Sequence, residues 1–308
     1  MSLQSFLYIC VQILTIQKED NRQEKSFMDN KSVILPKWID DLIFRVLSAK
    51  YSRKNKNLIV LEWKEDEILT YLGTYFPRSF AESYCIFSEY FSKFKHQYEA
   101  NTSISLFDFG CGTGGEIIGF IVAVSELLPN IETIELRALD GNVHELRCLE
   151  IILAEAASMT GLKIESRFMP IIIDDFYDMD VVTEVITQKY DFIITFKAIC
   201  EFVTKKQFEE RNPYEHVINT FLPKLSEIGI VCIADITTYN EISKEWLTKM
   251  LDTASEICDV TIIDRNQGYN EEFHVSHSLK KYDKSKIAWR IYKPNNIHHE
   301  KRLDDQRV

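Results

Sequence analysis

The stretch "SLFDFGCGTGGEIIGF", residues 105–120, decides how the rest of the chain is read. An apolar run of strand length enters a cluster of four glycines (Gly110, Gly112, Gly114 and Gly115), and an apolar run of helical character leaves it. Glycine opens backbone angles closed to other residues and lets a ligand approach the main chain, so this strand, loop and helix predict a nucleotide-binding turn. Gly110, Gly112 and Gly115 satisfy G-x-G-x-x-G, the dinucleotide fingerprint, while Gly114 also makes the tighter G-x-G-x-G. Glycines alone do not separate the two classes.

Asp108 does. It stands two residues before the first glycine, at the carboxyl end of the strand, where ligands of open α/β sheets sit. A carboxylate there repels a pyrophosphate and suits an ammonium group, because opposite charges in a shielded crevice attract strongly. S-adenosylmethionine carries an amino group and a sulfonium and no phosphate. Asp108 as a plain turn or capping residue is the competing reading. The next strand, "LRALDGN", ends at Asp140 followed by Gly141. An acid in that position accepts ribose hydroxyls, which supports an adenosine ligand of either class. After a third strand, "IIIDDFYD" offers Asp174 or Asp175 to the adenine amine and Phe176 to the face of the base. The acids at 174, 175, 178 and 180 fit a helix-capping cluster almost as well.

Outward from the loop the pattern divides in two. Up to about residue 100 it is helical: "WIDDLIFRVLSAKY" and "SFAESYCIFSEYFSKFKHQYEA" repeat apolar residues at three-to-four spacing. Beyond it, "ISLFDF", "TIELRALD", "KIESRFMPIII", "YDFIITF" and "GIVCIAD" alternate with helical segments near 114–128, 142–158, 179–188 and 213–227. Such alternation predicts a parallel sheet covered on both faces. A helix over 241–256 precedes "DVTIID", "FHVSHS" and "KIAWRIY", where late strands without a helix between them predict an antiparallel closure. The expected organisation is a helical lid or substrate region over 1–100, a ligand-binding α/β domain over 101–294 and a polar tail over 295–308.

Composition narrows the function classes. The chain has 308 residues and a net charge of -11, which disfavours a broad nucleic-acid surface built from clustered Lys and Arg. The short basic run "KYSRKNKN" (50–57) reads as a solvated connector. Seven cysteines without any C-x-x-C point to a reduced, cytoplasmic chain and to neither a disulfide framework nor a metal site. "MSLQSFLYICVQILTI" at the start is too short to span a bilayer and lacks signal-peptide features. Leu3, Phe6, Leu7, Cys10, Ile13 and Leu14 share one face, as in a docked amphipathic helix.

On "FDFGCGTGG", the Asp140 strand end, "IIDDF" and "YDFIITF", residues 100–293 resemble the class I S-adenosylmethionine-dependent methyltransferases. The resemblance implies a Rossmann-like, seven-stranded, mostly parallel sheet whose last strand is antiparallel. It implies S-adenosylmethionine as cofactor and a small-molecule or protein methyl acceptor. By position it assigns Asp108, Gly110, Cys111, Gly112 and Gly114 to the methionine-binding loop. Asp140 and Gly141 fall to the ribose, Asp174 or Asp175 and Phe176 to the adenine side, and Phe196 to the cofactor-facing end of the fourth strand. "YFPRSFAESYCIFSEYF" and "FKAICEF" also resemble the methyltransferase-like family associated with the mitochondrial small ribosomal subunit, although the cysteine cluster of many members is absent. There Glu201 takes the acid position of the turn after the fourth strand.

Methyl transfer needs alignment of a nucleophile and, for some acceptors, removal of its proton. "TFKAICEFV" (195–203) has no D/N-P-P-Y/F motif and no cysteine pair for attack on cytosine. Glu201 is the expected orienting or basic group. Tyr75, Arg78 and Tyr84 from the helical preface, Lys197 beside the fourth strand, and Asp235 and Tyr239 after the fifth are the substrate candidates. Two further readings stand beside the methyltransferase: an assembly module that kept the fold without catalysis, and an NAD-dependent oxidoreductase.

Overall fold

A computed structural model describes residues 31–52, 64–242 and 244–295. The amphipathic segment over 1–16, most of the basic run at 50–57 and nearly all of the tail lie outside the described residues.

The glycine loop joins β2 (Ser103–Phe109) to α3 (Gly115–Leu127). Beside them run β3 (Thr133–Asp140), α4 (Val143–Thr160), β4 (Lys163–Pro170), β5 (Tyr190–Phe196) and β6 (Leu225–Ile236). All four pairings among these five strands are parallel, in the order β4–β3–β2–β5–β6. β11 (Lys280–Pro294) then runs antiparallel to β6. The result is a Rossmann-like α/β architecture with a mostly parallel sheet and an antiparallel strand after its fifth member.

Alternation along β2 shows why both faces are covered. Ile104 and Leu106 pack on one face with α3 and α4, while Phe107 and Phe109 pack on the other. That second face receives α5 (Asp180–Val185), α8 (Pro213–Phe221) and α9 (Leu247–Ile257). Continuous apolar strands follow from burial on both sides.

The preface forms β1 (Ser32–Ile34), a helical turn α1 (Lys37–Asp40) continued as a wide helical turn over Asp41–Val46, and α2 (Glu65–Phe94). α2 packs into the same hydrophobic cluster as the sheet: Phe87 meets Phe120 edge to face at 4.8 Å, and Phe91 meets Phe192 at 5.7 Å. Gly115 and Gly119 make this possible. A Cβ at Gly119 would lie 2.5 Å from the Phe80 carbonyl oxygen, and one at Gly115 2.6 Å from that of Phe76. The two helices therefore meet backbone on backbone, as small residues at four-residue spacing permit.

The sheet is wider than the seven strands expected. At fifteen residues, β11 is long enough to pair β10 (Glu271–His277) along its first part and β9 (Val260–Arg265) along its second. β10 in turn takes β1 as a parallel edge, giving nine strands among the described residues. Helix limits also move. The segment predicted helical over 241–256 begins instead as a small hairpin, β7 (Tyr239–Asn240) with β8 (Glu245–Trp246), before α9. The helix predicted over 213–227 stops at Phe221, where Pro223 lacks the N–H needed to continue it. Over 179–188 only the six residues of α5 are helical. Among the described residues no helix is long and apolar enough to cross a membrane.

Candidate active site

The glycine loop is tied to its neighbour strand. Gly110 and Cys111 both donate their N–H groups to the Leu139 carbonyl, at 2.9 and 3.0 Å. Gly114 caps α3 at φ +77°, a left-handed angle that favours glycine, and Leu149 fills the space where its side chain would be. Gly112 differs. The nearest atoms to a Cβ there are the Tyr71 ring at 3.5 Å and Glu145 Oε2 at 3.8 Å. Gly112 is half-buried, with no atom nearer than 3.5 Å to a Cβ placed there.

Asp140 fastens this loop. Its Oδ2 accepts from Gly112 N at 2.8 Å, and its Oδ1 accepts from Asn142 N at 2.8 Å. Asn142 then caps α4 by accepting from His144 N at 2.9 Å, which brings Glu145 inward on the first turn. The Gly141 N–H and the Glu145 side chain are hydrogen-bonded to Asp140 as well. Gly141 is half-buried beside it.

Asp108 lies fully buried at the end of β2, and neither of its oxygens has a hydrogen-bond partner. Burial, with the charges of Glu116 and Asp140, pushes its pKa well above the usual carboxylate range. Burial likewise pushes Glu116 to about 8 and Glu145 well upward, and Glu145 Oε1 has no hydrogen-bond partner. A buried polar group without a partner is costly, and native structures keep few of them. Several buried carboxyl groups are thus gathered beneath the loop.

One cation enters from the opposite wall. Lys197, directly after β5, adopts φ +58° and donates to Glu82 Oε2 of α2 at 2.6 Å. Glu82 is fully buried and its second oxygen is unpartnered. Two residues on begins α6 (Ile199–Phe202), which carries Glu201. Glu201 is reached by water yet hemmed by protein, as a group lining a cleft is. This crowding, reinforced by Asp140 and Asp235, raises its pKa to about 7 against the opposing effect of Lys197.

The third wall is the start of α2. Tyr71 and Tyr75 face each other at 4.8 Å and 33°. Tyr75 is thus the sequence candidate that lies against Tyr71, with the Arg78 guanidinium 5.7 Å from its ring centre. Tyr71, Glu82, Glu116 and Glu145 were absent from the sequence reading. Glu116 and Glu145 had a local signal, since each opens the helix after a loop already singled out. Tyr71 and Glu82 look like ordinary members of an amphipathic helix, and only packing marks them.

The remaining candidates scatter. Phe196 is buried in the core on the α2 face. Phe176 is buried on the other face, its ring 6.5 Å from Phe202. Asp174 is exposed, whereas Asp175 accepts from Tyr177 N at 3.0 Å and from Gln207 Nε2 at 3.3 Å. Arg78 forms a two-pronged bond with Asp283 of β11, at 2.8 and 2.9 Å. Tyr84 lies about 20 Å along α2 from Tyr71 and donates to Glu126 at 2.7 Å. Tyr239 packs on Trp246, which touches Tyr269. Asp235 holds the α6 turn through Cys200 rather than facing outward.

No protein-family model matches the chain, and no curated protein matches it. Solved structures with a similar outline include precorrin-6y C5,15-methyltransferase from Geobacter metallireducens. It is 11% identical, with 68% of this chain and 88% of that one covered and a TM-score of 0.41. A TehB-like SAM-dependent methyltransferase from Corynebacterium glutamicum is 11% identical over 68% of this chain and 98% of its own, at a TM-score of 0.37. The [4+2]-cyclase SpnF is 14% identical over 58% of each chain, at a TM-score of 0.35. Two of the three are methyltransferases and the third is a cyclase.

Proposed function

We propose that this chain binds S-adenosylmethionine against the glycine loop and transfers its methyl group to an acceptor in the cleft between α2 and α6. The observation that carries this reading is Asp108: a buried carboxylate with no hydrogen bond to either oxygen, at the strand end below the loop. Burial and the neighbouring Glu116 and Asp140 raise the pKa of Asp108, and burial raises those of Glu116 and Glu145, so these acids ionise only opposite a bound cation. A pyrophosphate would add charge of the same sign, whereas an ammonium and a sulfonium oppose it. When bound, the cofactor supplies an electrophilic methyl carbon.

The chain's own residues then divide the work. Gly112 admits the ligand to the main chain, Asp140 accepts the ribose hydroxyls, and Asp108 with Glu116 supplies the charge that favours a cation. Glu201 stands across the cleft, where it orients the acceptor or takes its proton.

Thermal unfolding with S-adenosylhomocysteine or NAD tests this reading by mass action. S-adenosylhomocysteine raises the melting temperature and NAD does not; Asp140→Ala removes most of that shift. Asp108→Asn raises the melting temperature of the free chain, because an unpaired buried acid is replaced, and yet weakens the cofactor shift. Stabilisation by NAD alone overturns the proposal.

A further inference from the structure

We propose that Arg78 and Lys280 form a subsite for a carboxylate or phosphate group, and that this group belongs to the methyl acceptor. The link to the acceptor rests on the methyl-transfer reading; the subsite stands on its own geometry.

Its position follows from the sheet. Ile287 of β11 pairs with Ile236, the last residue of β6. β11 therefore carries residues 280–286 past the carboxyl edge of the parallel strands, the edge from which the glycine loop also leaves. Tyr71, Tyr75 and Arg78 of α2 fall at i, i+4 and i+7 and so share one helix face. Along that face the Tyr71 ring lies 3.5 Å from the Cβ position of Gly112, and its centre is 4.8 Å from that of Tyr75. The Arg78 guanidinium follows, 5.7 Å from the Tyr75 ring centre. The stripe thus runs from the glycine loop to Asp283 of β11.

The charges at its far end do not cancel. Asp283 is fully buried and meets two cations: Arg78 through Nε at 2.8 Å and Nη2 at 2.9 Å, and Lys280 at 2.5 Å. Burial opposes its ionisation, but His277, Arg78 and Lys280 outweigh burial and hold it below the ordinary carboxylate range. Among the described residues neither cation pairs with any other acid, so one positive charge is left over. Both cations reach water, their side chains 20% and 21% exposed. A surplus charge at the rim of a buried pair attracts an anion more strongly than one in open solvent.

Hydrogen bonding points the same way. A guanidinium has five N–H groups and an ammonium three. Arg78 uses Nε and Nη2 on Asp283 and the Tyr51 hydroxyl. Lys280 donates once to Asp283 and once to that hydroxyl. Both N–H groups of Arg78 Nη1 and the third of Lys280 have no acceptor among the described residues. Beside Asp283 the buried His277 ring stacks on Phe44 at 4.9 Å, and neither of its nitrogens makes a hydrogen bond. An imidazole always carries at least one N–H. The pocket therefore holds more donors than acceptors, and a carboxylate or phosphate supplies what is lacking.

Spacing describes the acceptor. Seven residues of α2 lead from Tyr71 to Arg78, about 10 Å of helix. An acceptor whose anionic end rests on Arg78 and Lys280 lays its body along Tyr75 and presents its reacting atom near the loop.

The test titrates the full chain with n-butyl phosphate, butyrate and n-butylammonium at pH 7 and low salt, by calorimetry or NMR shifts, with and without S-adenosylhomocysteine. Both anions bind and butylammonium does not. Lys280→Met leaves the two-pronged Arg78–Asp283 pair in place and weakens anion binding about tenfold, whereas Lys280→Arg retains it. Lys281→Met removes the same charge one residue away, from an exposed side chain, and changes little. Unfolding midpoints check that each variant is folded. Saturating S-adenosylhomocysteine leaves the anions bound. Tighter binding of butylammonium, no binding of either anion, or equal losses in Lys280→Met and Lys281→Met overturns the subsite. Displacement of the anions by S-adenosylhomocysteine assigns the subsite to the cofactor's own carboxylate and overturns the link to the acceptor. A chain that binds the anions and not S-adenosylhomocysteine overturns the methyl-transfer reading and leaves the subsite standing.

Discussion

Asp235, the last buried residue of β6, accepts the main-chain N–H of Cys200 through Oδ2 at 3.1 Å. The same oxygen accepts the Tyr214 hydroxyl at 3.0 Å, and Oδ1 accepts the N–H of Ile236 at 2.7 Å. One carboxylate thus pins the turn that carries Glu201 to the neighbouring strand and to α8. Asp235→Ala leaves a buried hydroxyl and a main-chain N–H without an acceptor, a loss of about 2–5 kcal/mol. Urea unfolding reads that loss directly; a midpoint within error of wild type would show the bonds to be dispensable.

Close helix contact at Gly119 gives a second expectation. Gly119→Ala brings a Cβ within 2.5 Å of the Phe80 carbonyl and 2.8 Å of Tyr84 N, so α2 and α3 must separate at a cost of about 1–3 kcal/mol. Gly161→Ala is the contrast. Nothing lies within 4 Å of its Cβ position, and only the φ of +74° opposes the change, worth about 1 kcal/mol. Thermal melts of the two variants rank them in that order.

Lys197 and Glu82 form a pair in which the acid is fully buried and the lysine side chain is 14% exposed. Removing one partner strands the other charge. Lys197→Met destabilises the chain by about 3–5 kcal/mol, and adding Glu82→Gln recovers much of that loss. A double-mutant cycle by denaturant unfolding measures the recovery, and simple additivity would contradict the pairing.

Burial holds Glu116 at about 8 in the folded chain, against 4.5 for its ordinary value. A raised acid binds more protons folded than unfolded, so its stabilising contribution is complete below about pH 4.5 and is lost as pH rises toward 8. Stability from this group falls by up to about 1.4 kcal/mol per pH unit across that window. Glu116→Gln flattens the profile between pH 5 and 8. An unchanged slope in the variant would remove Glu116 as its source.

Much of the architecture was legible because its signals are local. A strand of alternating faces, a glycine turn and an apolar helix occupy consecutive residues, and Asp108 and Asp140 are marked by their places at strand ends. Tyr84 and Tyr239 were harder. Each sits on a segment of the expected kind, but helix pitch and a hairpin turn them toward Glu126 and Trp246. The edge strand β1 had no such signal, because it is only three residues long and takes its partner from the far end of the chain.

By itself the sequence determined the alternating parallel core, the glycine loop and the acids beneath it, since each depends on neighbours within a turn or a strand. Tertiary structure decided which charges remain available. Lys197 meets Glu82 across 115 positions and Arg78 meets Asp283 across 205. No spacing rule reaches that far: an ion pair between distant segments exists only once packing has brought both to the same buried place.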